Sequence, residues 1–68
     1  MKIEVIISEK SKHATDVRTI VDVDDKLYSQ STGVMITTDN FKNSMNIEIL
    51  ETVKRHIERI QRDMGELN

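Results

Sequence analysis

The chain has no cysteine, no proline and no tryptophan, and only one tyrosine, one phenylalanine and two glycines. Without cysteine there are no disulfides, no thiolate zinc sites and no thiol redox chemistry. Without proline no rigid linker is signalled, and nothing divides the 68 residues into two domains. With Gly33 and Gly65 as the only glycines, a phosphate cradle of closely spaced backbone N–H groups is not available. Tyr28 and Phe41 alone offer no stacking platform for single-stranded nucleic acid. The apolar run Val5-Ile6-Ile7 falls far short of the roughly 20 residues of a membrane span. The start, Met1-Lys2-Ile3-Glu4, carries an acid and no long apolar core, so no signal peptide is expected. The expectation is a cytoplasmic protein of bacterial or phage type with no membrane partner.

A chain of this length buries only about 60% of the surface its unfolded form exposes. With 37% of residues hydrophobic, the core needs a supplement: disulfides, a metal or a partner subunit. Cysteine is excluded, which leaves metal or partner. Ten basic and twelve acidic residues give a net charge of −2 with both signs interspersed. That is neither the basic excess of a general nucleic-acid binder nor the acidity of a DNA mimic.

What is present is patterned. Ile3, Val5 and Ile7 alternate with Lys2, Glu4, Ile6 and Ser8, predicting a strand over 2–8. The polar stretch 9–15 reads as a loop. Val17, Thr19, Val21 and Val23 alternate with Arg18, Ile20 and Asp22, predicting a strand over 16–23. Asp24-Asp25-Lys26 suits a tight turn. A third strand spans 27–38, with Tyr28, Gln30, Thr32, Val34 and Ile36 on one face and a bulge expected at Gly33; a single helical turn over 24–30 is the alternative. From a cap at Asp39 or Ser44, Leu50, Val53, Ile57, Ile60, Met64 and Leu67 recur at three-four spacing. This predicts a helix over 44–64, ended by Gly65. Glu51–Arg55, Glu58–Arg62 and Arg59–Asp63 can pair along it. Phe41 and Met45 fall off the main apolar arc, so they pack on the sheet or form a contact patch. Met35, Met45 and Met64 are adaptable side chains suited either to filling a core or to meeting a partner.

The expected fold is therefore α+β: a three-stranded antiparallel β-meander followed by one long C-terminal amphipathic helix (βββα), a single domain over residues 1–68. A helix over 44–64 is about 31 Å long, against about 23 Å for a seven-residue strand and about 14 Å across three strands. Such a sheet does not cover the whole apolar stripe. The stripe also has coiled-coil spacing but too few heptads to stand alone. A homodimer is expected, with Leu50, Val53, Ile57, Ile60, Met64 and Leu67 at the interface.

The residues that carry chemistry are sparse. Asp22, Asp24 and Asp25 form the acidic cluster; without further ligands at calcium-loop spacing they read as turn residues, and no metal or other cofactor is expected. His13 and His56 stand outside any motif, and no serine elbow or metalloprotease signature occurs. Lys10, Lys12, His13 and Arg18 make a basic loop over 10–18, the candidate contact for a partner or for nucleic acid. Residues 44–68 carry four cations against five acids, which makes the outer side of the helix a self-paired face. Gly33-Val34-Met35-Ile36-Thr37-Thr38-Asp39-Asn40-Phe41 resembles a strand-to-helix junction of restriction-type nuclease domains. It spans only nine residues, and the acidic and lysine catalytic elements of that family are missing, so no activity is implied. The expected function is non-catalytic: a homodimeric protein–protein interaction module, a regulator or inhibitor of an unidentified protein. The alternative is a dimeric nucleic-acid binder using the basic loop.

Overall fold

Two tight turns build the sheet. In the computed structural model, which describes residues 1–36 and 41–66, the elements are β1 (Lys2–Ser11), β2 (Ala14–Val23), β3 (Lys26–Met35) and α1 (Phe41–Glu66). The sheet is antiparallel in the order β1-β2-β3. The three antiparallel strands and the helix that follows them are those the alternation predicts. Residues 24–30 are not a helical turn: Asp24 and Asp25 form a two-residue turn between the paired Val23 and Lys26, and β3 follows directly. Both aspartates have positive φ, 52° and 62°, the combination a type I′ hairpin turn requires and the one that matches strand twist.

The boundaries differ from the expected ones in a consistent way. The stretch 9–15 is not a loop but a hairpin tip, with turn residues at Lys12 and His13 and strands reaching 11 and 14. Its polar sequence hides the strands, because the inward position buried there is Thr15 and no apolar alternation marks them. The bulge lies in β1 between Glu9 and Ser11 rather than at Gly33, which pairs with Asp16 in an unbroken ladder. The helix starts at Phe41, so Ser44 lies inside it rather than capping it. Gly65 is helical and does not have positive φ; it is not the left-handed stop. Thr37, Thr38, Asp39 and Leu67 lie outside the described residues, as do the side chains of Phe41 and Glu66.

Strand pairing puts Ile3, Val5 and Ile7 on the same face as Val21, Thr19 and Val17, and these face Tyr28, Gln30 and Thr32 on β3. α1 packs on this face against β2 and β3. Val17, Val34 and Met45 form the core cluster, with Ile36, Ile49 and Val53 against it, and Val21 and Ile60 are also buried. Met45 is thus a core residue. The core is meagre: among the described residues five buried apolar ones are matched by four buried polar ones, Thr15, Thr19, Thr52 and His56. The radius of gyration is 13.6 Å, against roughly 11 Å for a compact chain of this length.

Left-handed backbone at two aspartates is tolerated rather than favoured. Replacing the turn by Asp24→Asn with Asp25→Gly is expected to stabilise the fold by about 1 kcal/mol, read as a higher urea midpoint. An unchanged or lowered midpoint would contradict the type I′ assignment.

Candidate functional site

The helix does not present its most apolar side to the sheet. Its buried positions are Met45, Thr52, His56 and Ile60. On a 3.6-residue wheel these centre about 70° away from the stripe formed by Ile49, Leu50, Val53, Ile57, Ile60 and Met64. Ile60 is 2% exposed and belongs to the sheet contact, whereas Leu50 is 71% exposed. Val53, Ile57 and Met64 lie between, half-buried on the flank. The structure therefore divides the six residues expected at a dimer seam: one faces the sheet, four form a flank, and Leu67 lies outside the described residues.

What turns the helix is a polar clamp. The His56 ring is 5% exposed, with Nδ1 2.9 Å from Thr19 Oγ1 and Nε2 2.7 Å from Thr32 Oγ1. Either neutral tautomer is satisfied, because each hydroxyl can donate or accept. Beside it Arg55 Nη2 donates to buried Thr52 Oγ1 at 3.1 Å. Burial, and secondarily the Arg55 charge, push the His56 pKa below its usual 6.5. Thr32–His56–Thr19 superficially has the order of nucleophile, base and orienting group. However, the third member is a neutral hydroxyl, which does not stabilise an imidazolium as a carboxylate does, and the neighbouring guanidinium opposes one. The arrangement ties a neutral ring to two strands.

The two sides of the helix differ. On the β3 side Arg55, Arg59 and Arg62 stand over Gln30 and Thr32, and Arg55 pairs at 3.9 Å with both Glu48 and Glu51. Among the described residues Glu58–Arg62 and Arg59–Asp63 do not form ion pairs. On the β1 side Asn46, which shares the wheel position of Met64, borders a hollow with Glu9, Lys10 and Ser11 of β1. The flank of Val53, Ile57 and Leu50 therefore overlooks β1. That strand is uncovered: Ile3, Val5 and Ile7 are 54%, 40% and 52% exposed although they share the core-facing side of the sheet. The β1 row and the helix flank thus present apolar side chains on the same side of the molecule, above the hollow that Glu9 and Lys10 border. On the opposite face Ile6 pairs with Arg18 and Ile20 with Glu4, so these two isoleucines are diagonal neighbours rather than a directly opposed pair.

The basic loop is less open than its sequence. Lys10 Nζ pairs with Asp16 at 3.5 Å, and Arg18 Nε donates to Ser29 Oγ at 3.4 Å. His13 holds the hairpin tip to the end of β3: its ring Nδ1 donates to the Ile36 carbonyl at 2.7 Å, while the Ile36 N–H donates to the His13 carbonyl at 2.8 Å. Lys12 is the member with no partner among the described residues. Also among the described residues, no helix is long and apolar enough to cross a membrane, and no group of three His, Asp or Glu side chains is placed to hold a metal. Comparison with family models, curated proteins and solved structures finds no match to the chain, so the functional reading rests on this geometry.

The clamp is pH-linked with a definite sign. Because the folded pKa of His56 is lowered, the unfolded state binds more protons in acid, and the contribution is full above about pH 6.5 and declines as pH falls below it. His56→Gln, which does not titrate, is expected to flatten this part of the stability–pH curve. His56→Leu orphans the buried Thr19 hydroxyl and is expected to cost about 1–3 kcal/mol. Adding Thr19→Val should recover part of it in a double-mutant cycle. Simple additivity of the two changes would remove the clamp from the account.

Proposed function

We propose that the protein is a homodimeric, non-catalytic protein–protein interaction module that acts as a small regulator or inhibitor. The observation that carries this reading is the apolar side presented by Ile3, Val5 and Ile7 with Leu50, Val53 and Ile57. A row of β-branched residues on the core side of a sheet, exposed only because one helix covers two of three strands, is the chemistry of a surface meant to be covered. The small core and the extended shape support the same reading, since a second subunit supplies what the single chain lacks.

Catalysis has no support in the arrangement around His56, as argued above. The nucleic-acid alternative keeps Lys12 as its unpaired cation, but ties on Lys10 and Arg18 reduce its footprint. Retention on duplex DNA that weakens steeply with salt and disappears in the double variant Lys10→Ala, Lys12→Ala would replace the present reading with that one.

Sedimentation equilibrium at micromolar concentration provides the direct test. The expected species has twice the 7.9 kDa chain mass. Ile7→Asp is expected to yield a folded species of single chain mass, with its helical circular dichroism retained because Ile7 is half exposed and outside the core. A wild-type chain that sediments as a monomer defeats the proposal.

A further inference from the structure

We infer that a second copy of the chain occupies the free edge of β1, pairing antiparallel with its counterpart about a two-fold axis at Val5, so that two three-stranded sheets become one of six strands. The inference rests on the homodimer reading and specifies where and in what register the copies meet. β1 is an edge strand of ten residues with no proline. Its charged side chains on the core side are confined to Glu9, near the end. Such an edge presents unpaired backbone N–H and C=O groups, and from Ile3 to Ile7 it lacks the proline, bulge or inward-facing charge that protect an edge against pairing.

The register follows from charge and from the bulge. A two-fold axis normal to the sheet keeps both helices on one face and opposes residues of the same parity. Centred on Val5, it sets Val5 against Val5 and Ile3 against Ile7 in both directions, so the whole apolar row is paired and Lys2 meets Ser8. Centred on Glu4, it opposes two glutamates. Centred on Ile6, it sets Lys2 against Lys10 twice and Ile3 against Glu9. Centred on Ile7, it sets Val5 against Glu9 and draws Ile3 past the bulge. Like charges directly opposed destabilise a ladder and β-branched pairs stabilise it, so the Val5 register wins. It also fits the regular part of the strand, which the bulge between Glu9 and Ser11 ends.

The other edge does not compete. β3 lines its core side with Tyr28, Gln30 and Thr32 beneath Arg55, Arg59 and Arg62. With Glu58 among these arginines and Arg55 paired to Glu48 and Glu51, that side is polar and offers no apolar row for self-pairing to bury. One apolar edge and one polar edge close the assembly at two copies rather than an open fibre. With strands about 4.8 Å apart and each helix over β2 and β3, the two helix axes would lie about 19 Å apart. Leu50, about 9 Å along the helix from His56 and so from the level of Val5, would be displaced along the helices from its counterpart as well as separated across the trough.

The cysteine-free sequence makes the test clean, because each introduced thiol is unique. Directly opposed residues lie within disulfide reach, whereas residues four positions out of register are about 13 Å apart along the strands and do not. Under mild oxidation Val5→Cys is expected to form a covalent dimer at least about tenfold faster than Ile3→Cys or Ile7→Cys alone. An equimolar mixture of the Ile3→Cys and Ile7→Cys variants should cross-link, and Leu50→Cys should not. Circular dichroism checks that each variant is folded. A wild-type dimer in sedimentation whose Val5→Cys variant does not cross-link, or whose Leu50→Cys variant does, overturns the β1 edge while leaving the homodimer intact. Equal cross-linking by Ile3→Cys alone overturns the register. A monomer in sedimentation overturns the homodimer reading itself.

Discussion

Two hydrogen bonds from one imidazole set how the helix lies on the sheet. Turning α1 by about 70° would bring Leu50 and Ile57 onto the strands and keep Ile60 there, but Met45, Thr52 and His56 would leave. Each fully buried side chain of this kind contributes roughly 1.5–3 kcal/mol, so the turn would gain about one such contribution net. The polar terms then decide. Each bond contributes about 0.5–1.5 kcal/mol net, and an orphaned buried hydroxyl costs about 1–3 kcal/mol. Thr19, which is fully buried, would be that orphan. The clamp therefore holds the helix over β2 and β3, and everything distinctive about the surface follows: the flank turned toward β1, the arginines turned toward the β3 edge, and β1 left bare.

This constraint explains why one part of the molecule could be read from the sequence and another could not. Alternation at Ile3, Val5, Ile7 and at Val17, Thr19, Val21 assigns strands and faces correctly, because side-chain period two survives any tertiary context. The paired aspartates at 24 and 25 mark their turn by composition. The helix is legible from the three-four spacing of Leu50 to Met64. Its azimuth is not, since the partners of His56 are 37 and 24 positions away and no local pattern joins them. A signal was nevertheless present: Thr19 and Thr32 interrupt the apolar inward positions of adjacent strands, and Thr52 and His56 sit one turn apart near the helix's apolar arc. Polar residues on two facing inner surfaces invite each other.

The geometric case for a partner also changes ground once the strands are seen at full length. Seven-residue strands are too short for the helix; ten-residue strands, about 33 Å long, nearly match a helix of about 39 Å. The mismatch lies in width instead. One helix is about 10 Å across and three strands span about 14 Å, so a single helix placed off-centre leaves one strand uncovered. A helix placed centrally would have covered β1 partly and exposed β3 partly, with no single surface left for a partner. Placement by the clamp concentrates the uncovered area on one strand.

On the homodimer reading, such a molecule ties its stability to its own abundance. A core with five buried apolar residues among those described leaves little margin above the entropy of ordering the chain, and on this reading the missing contribution comes from the second copy. Association that binds only the folded form stabilises it by mass action, so the folded fraction rises with concentration. The same exposed row that favours pairing between folded copies is a liability in a dilute, partly unfolded chain. A small interaction module built this way is most stable when enough copies are present to act, and is readily lost as they disappear.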